Sequence, residues 1–117
     1  MADFTIYRGD TVALNVTITS GGLAYNLTGK SIWFTAKTSY SQADPGVFQK
    51  KLGSGITIVS AANGQCQVVI AASDTNSLGN SKVALVYDMQ VKDSSGNIYT
   101  VASGSLIVVP DVTRSTS

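Results

Sequence analysis

The sequence predicts an all-β domain, a sandwich of two sheets built from about seven to eight antiparallel strands. Three observations carry that prediction. Apolar residues recur at every second position along most of the chain, turn signals punctuate it at short intervals, and no stretch has the length or period of a helix able to cover a sheet face. A chain of 117 residues needs only one core at this size. Residues 1–110 are therefore expected to form a single β-sandwich domain, with 111–117 a polar C-terminal tail.

Residues 4–7, Phe4-Thr5-Ile6-Tyr7, make the first short strand, and Arg8-Gly9-Asp10 separates it from the next. Across 11–19, Val12, Leu14, Val16 and Ile18 fall on one face and mostly small polar residues on the other, the pattern of a strand with one wet side. Ser20-Gly21-Gly22 closes it with a turn. After 23–27 and a turn at Thr28-Gly29, the aromatic and β-branched residues of 30–38 mark a central strand. Ile32, Phe34 and Ala36 are expected to face inward and Trp33 and Thr35 outward, the reverse holding if a bulge shifts the register.

Residues 39–46, with Asp44-Pro45-Gly46, form a loop, and Val47, Phe48, Gln49, Lys50 and Lys51 form a short strand whose two lysines suit an exposed edge. Gly53-Ser54-Gly55 leads into 56–59, Asn63-Gly64 offers a tight hairpin turn, and Cys66, Val68 and Ile70 line the inner side of the strand that follows. Within 72–79, Ser73 or Asp74 can cap a single helical turn that Gly79 ends, a connector between sheets. The last third is a long hairpin, 82–92 with 97–109, joined by Asp93-Ser94-Ser95-Gly96, and Gly104 suggests a bulge in its second arm.

Composition narrows the function. Hydrophobic residues make up 44% of the chain and charged residues 13%, which excludes a disordered or solvating polypeptide. Eight Lys and Arg against seven Asp give a net charge of +1, the basic residues are scattered, and no stripe exists to neutralise the phosphates of a nucleic acid. A charge this close to zero offers weak electrostatic protection against self-association and suits a protein that lives in an assembly. No apolar run approaches the roughly 20 residues that span a bilayer, so no membrane partner is expected. The start, Met1-Ala2-Asp3-Phe4, has neither a basic nor an apolar leader region, so no signal peptide is read there, and either synthesis in a cytoplasm or a trimmed start is the expectation.

The chain has no His and no Glu. That removes the commonest general base and metal ligand, and with it catalytic triads and most zinc or iron sites. No catalytic residue, metal site, cofactor or small-molecule substrate is expected, and the chain is read as non-enzymatic. Lone Cys66 cannot make an internal disulfide and sits in a strand pattern, where it reads as a small buried hydrophobe. Asp93, Ser95 and Asn97 could converge on calcium, but a hairpin turn explains them more simply. Arg8-Gly9-Asp10 matches an adhesion tripeptide, yet a turn Gly and a turn Asp between two strands suffice. Asn15-Val16-Thr17 and Asn26-Leu27-Thr28 fit the glycosylation pattern and read equally as strand and turn residues. Trp33 and the five tyrosines could stack sugars on an outer face, or simply pack.

The segment Phe4-Thr5-Ile6-Tyr7-Arg8-Gly9-Asp10-Thr11 and, later, Asn26-Leu27-Thr28-Gly29-Lys30-Ser31-Ile32-Trp33-Phe34-Thr35-Ala36-Lys37 resemble a recurring pattern of small phage-encoded virion proteins. Gly55-Ile56-Thr57-Ile58 with Asn63-Gly64, Ala72-Ser73-Asp74-Thr75, Tyr87-Asp88-Met89-Gln90-Val91 with Ser95-Gly96, and Gly104-Ser105-Leu106 before Pro110-Asp111-Val112-Thr113 extend the resemblance over nearly the whole chain. The chain is similar to immunoglobulin-like tail and baseplate domains, including the N-terminal domain of phage baseplate upper proteins. The resemblance implies an immunoglobulin-like sandwich and a structural role in the virion, whether tail, baseplate or head surface. It also implies other virion proteins as partners, with several copies in a symmetric assembly. A host-surface or carbohydrate-binding sandwich module is the alternative. The contact surface expected on either view is the edge at Val47, Phe48, Gln49, Lys50 and Lys51 together with the outer face carrying Trp33.

Overall fold

A computed structural model describes residues 3–44, 46–78 and 81–110; the expectations for the tail at 111–117, for Pro45 and for Gly79 lie outside the described residues. Ten strands follow the alternation in chain order. They are β1 (Phe4–Tyr7), β2 (Val12–Thr17), β3 (Thr19–Ser20), β4 (Leu23–Ala24) and β5 (Ser31–Lys37), then β6 (Phe48–Leu52), β7 (Gly55–Ser60), β8 (Gln65–Ile70), β9 (Val83–Lys92) and β10 (Ile98–Val109). Between β8 and β9 lie α1 (Ala72–Thr75) and a 3-10 turn at Asn76–Leu78. The Asp74 carboxylate accepts the Ala71 N–H at 2.7 Å, so Asp74 holds the start of this short connector from inside its first turn.

The all-β, sandwich-like class holds, with two changes to its plan. The strands expected in two separate sheets form one continuous ladder, β1-β10-β9-β5-β6-β7-β8-β2, beside the small hairpin β3-β4. They are also not all antiparallel. β1 pairs parallel with β10, Phe4 opposite Leu106 through Tyr7 opposite Val109, and β6 meets β7 in parallel at Lys51–Gly55 and Leu52–Ile56. The β6–β7 junction is a corner at which the chain turns from one half of the sheet into the other. β6, expected at an edge over 47–51, lies inside the ladder: β5 pairs with Phe48 to Lys51 on one side, and β7 joins the other side at Lys51 and Leu52 alone. The strands that end the ladder are β1 and β2.

Inward-facing side chains from all eight strands meet in a single core. Ile32, Phe34 and Ala36 are buried as the alternation of β5 requires, opposite Val91, Met89 and Tyr87 of β9, and share the core with Leu85 and with Cys66, Val68 and Ile70 of β8. Phe34 lies between two rings, its centroid 5.1 Å from Tyr87 and 6.1 Å from Phe48, and Phe4 reaches Tyr87 at 5.5 Å. Cys66 is buried, and burial pushes its thiol pKa up, away from the thiolate a reactive cysteine needs.

The turn motifs are structural. Arg8 N–H bonds the Val109 carbonyl at 2.8 Å, and Gly9, at φ +80°, donates to the hydroxyl of fully buried Thr75 at 2.8 Å. The tripeptide is thus tied down on both flanks. Asn15 accepts from Gln67 across the β2–β8 pair at 3.1 Å, and Asn26 accepts the Thr28 N–H at 2.9 Å. The loop between β7 and β8 has four residues, 61–64, longer than the tight turn expected at Asn63-Gly64.

Asp93 organises the β9–β10 turn: one carboxylate oxygen accepts the Ser95 N–H at 3.0 Å and the Asn97 N–H at 2.9 Å. The Asn97 N–H bond is the main cause that holds its pKa below the usual aspartate value. A carboxylate depressed in this way contributes stability above its unfolded pKa, about 4. That contribution is lost as pH falls through its lower folded value. Urea denaturation at neutral pH and near pH 3 is therefore expected to show a smaller acid-side loss of stability in Asp93→Asn than in the unaltered chain. An identical loss in both chains would mean that the carboxylate does not anchor the turn.

Candidate functional site

The outer face of β6, β5, β9 and β10 forms an open groove of about 600 Å³. Antiparallel pairing aligns its side chains in rows across the strands. One row is Lys51, Trp33, Gln90 and Thr100; the next is Gln49, Thr35, Asp88 and Ser103; Lys37 and Val86 begin a third. Tyr40 and Asp44, from the loop between β5 and β6, and Ile98, at the start of β10, complete the walls.

A bulge makes the β10 side possible. Thr100 and Ser103 are three apart and strict alternation would put them on opposite faces. The register shifts between Thr100, opposite Gln90, and Ala102, opposite Met89, so Val101 is the inserted residue and both Thr100 and Ser103 face the groove. The bulge expected at Gly104 is not there. Gly104 sits in regular register opposite Tyr87.

The polar groups of the groove are held by one another. Gln49 Nε2 donates to Thr35 Oγ1 at 3.0 Å, Gln90 Nε2 donates to Asp88 Oδ2 at 3.1 Å, and Lys37 pairs with Asp44 at 2.7 Å. Thr38 N–H donates to the Gln42 side-chain oxygen at 2.7 Å, which braces the loop that carries Tyr40. Each bond fixes a rotamer and leaves further lone pairs or N–H groups to face outward. Tyr40 is 86% exposed and Ile98 60%, while Trp33 is half-buried.

The structure divides the residues predicted for the contact surface. Trp33, Gln49 and Lys51 share the outer face, with Trp33 and Gln49 lining the groove. Phe48 and Lys50 turn to the other side: Phe48 is buried on Phe34, and Lys50 Nζ lies 2.6 Å from Asp74 Oδ2 and 5.8 Å from the Phe48 ring centre. Lys50 thus joins β6 to the β8–β9 connector rather than meeting solvent as an edge lysine. Val47 is half-buried against the core. Tyr40, Asp88, Gln90 and Ile98 were not among the predicted residues. Asp88 and Gln90 had a signal in the sequence, the polar alternates of an otherwise apolar strand. Tyr40 was marked only as one of five tyrosines able to stack on an outer face, and Ile98 had no signal, because their places depend on how a loop and a hairpin end fold over the face.

Among the described residues, no group of three or more His, Cys, Asp or Glu side chains is placed to hold a metal ion, and no helix is long and apolar enough to cross a membrane. No family model matches the chain, and no curated protein does. Among solved structures it is similar to the N-terminal domain of phage TP901-1 ORF48, at 14% identity and a TM-score of 0.49 over 94% of this chain and 85% of that one. It is also similar to AggA, the major subunit of aggregative adherence fimbriae type I from Escherichia coli, at 10% identity and a TM-score of 0.33 over 95% of this chain and 91% of that one.

Proposed function

We propose that the chain is a non-enzymatic structural protein of a bacteriophage virion, in its tail, baseplate or head surface, where several copies are held by protein–protein contacts. Its resemblance in sequence to small phage virion proteins, from Phe4 to Thr113, supports the virion. The observation that carries assembly is the edge strand β2. It ends the ladder, runs six residues in unbroken register with β8, and contains no Lys, Arg, Asp, Glu or Pro and no bulge. Proteins that stay monomeric usually block such an edge with one of those devices, because its unpaired N–H and C=O groups template another strand. An unguarded edge suits β-augmentation by a neighbouring subunit, and repeated copies turn a weak contact into strong avidity.

Sedimentation velocity of the purified chain tests this, together with mass spectrometry of particles from the phage that encodes it. The chain is expected in the particles and in concentration-dependent oligomers. Ala13→Lys combined with Thr17→Lys, two exposed positions on β2, is expected to leave a folded monomer. A chain that stays monomeric at millimolar concentration and is absent from particles overturns the proposal.

A further inference from the structure

We infer that the groove on the outer face of β6, β5, β9 and β10 is a binding site for a short, neutral oligosaccharide. Its volume, about 600 Å³, leaves room for a short oligosaccharide. Its chemistry then selects among ligands. Trp33 and Tyr40 line it with aromatic rings, the side-chain type that packs on the C–H faces of pyranose rings, and Tyr40 is 86% exposed. Beside them, Gln49, Asp88 and Gln90 present carboxamide and carboxylate atoms whose rotamers are already set by the Gln49–Thr35 and Gln90–Asp88 hydrogen bonds. The two carboxamides both donate and accept and the carboxylate accepts, so planar groups fixed in advance match pairs of adjacent hydroxyls at little entropic cost.

Charge weighs against anionic ligands. The lining has one lysine, Lys37, and two aspartates, Asp44 and Asp88, a net charge of −1. Lys37 is already paired with Asp44. Phosphates and acidic sugars would meet the Asp88 carboxylate in the middle row, while the other lysine of this face, Lys51, stands beyond the lining at the far end of the Trp33 row. A protein partner fits less well. Interface centres are apolar and poor in charge, whereas the row through the middle of this groove is Gln49, Thr35, Asp88 and Ser103, so a dry protein contact would bury Asp88 without a cation. A hydroxylated ligand keeps that carboxylate hydrogen-bonded.

Trp33 is the one tryptophan in the chain, so its emission reports on the groove directly. The experiment titrates the purified chain with malto-, cello-, manno-, galacto- and N-acetylglucosamine oligomers. In parallel it uses sialylated and phosphorylated oligosaccharides, and it follows Trp33 fluorescence throughout. At least one neutral oligomer is expected to give a saturable shift. Tyr40→Ala, at an exposed loop position that leaves the unfolding midpoint in place, and Asp88→Asn are each expected to weaken binding at least tenfold. No saturable shift with any neutral oligomer overturns the inference, as does undiminished binding by both variants or equal binding of the acidic sugars. If Tyr40→Ala changes the oligomeric state and leaves no sugar response to lose, the groove is a contact between copies and the inference fails. The β2 variant with lysines at 13 and 17 should still bind sugar, which separates this result from the assembly test.

Discussion

Phe34→Ala is expected to lower the free energy of unfolding by about 3–5 kcal/mol. For a domain whose total stability is of order 5–15 kcal/mol, this is among the largest losses one side chain can cause. Phe34 is 1% exposed and sits at the middle of β5, paired with Met89 on one side and Lys50 on the other. Its ring lies between those of Tyr87 and Phe48 at interplanar angles of 18° and 15°. Truncation removes the buried area of the ring and leaves a cavity walled by two aromatics that are fixed on neighbouring strands and cannot close over it. Urea denaturation of the two chains measures the effect. A loss under about 1 kcal/mol would mean that the three rings are not packed as described.

Gly64→Ala is expected to cost on the order of 3 kcal/mol through the backbone rather than the core. Gly64 has φ +68°, which alone costs an L-residue about 1–2 kcal/mol. A Cβ there would also stand 2.4 Å from the Ile18 carbonyl oxygen and 2.8 Å from that of Tyr25, atoms that no rotamer change can move. The approach is close because the β7–β8 turn is bonded to the chain crossing it. The Ile18 N–H donates to the Gly64 carbonyl at 2.8 Å, Tyr25 N–H to Ile18 at 3.0 Å and Leu27 N–H to Ala61 at 2.9 Å. Gly96 is the control: its φ is +89° with nothing within 4 Å of a new Cβ, so Gly96→Ala bears the conformational cost alone. Thermal melts of both variants should place Gly64→Ala clearly below Gly96→Ala. Equal melting temperatures would leave no role for the clash.

The contrast between these sites shows where the sequence could be read. Phe34 was legible as core because the alternation Ile32, Phe34, Ala36 is local, and a strand shows its two faces within a few residues. The turn at Thr28-Gly29, the short connector after β8 and the buried state of Cys66 were legible for the same reason. Gly64 was legible as a turn residue but not as the point where residues 18–25 press on the turn, since those residues lie some forty positions earlier in the chain. Lys50 was misjudged because its partner, Asp74, sits in another element: its charge argued for solvent, and only the packed fold supplies an anion at 2.6 Å.

By itself the sequence determined which faces of the strands are dry, that the domain is all-β, and that its chemistry lacks a histidine base or ligand. Those properties follow from residue type and from a period of two, and neither depends on what lies across the sheet. The tertiary structure alone decided that β1 pairs in parallel with β10 and that β6 turns a corner into β7 instead of ending the sheet. It alone inserted Val101 so that Thr100 and Ser103 face the same way, and it gathered Trp33, Tyr40, Asp88, Gln90 and Ile98 around one groove. Each of these is a choice of partner between distant segments. Alternation tells a residue which way to point; only the contacts of the whole chain settle what it points at.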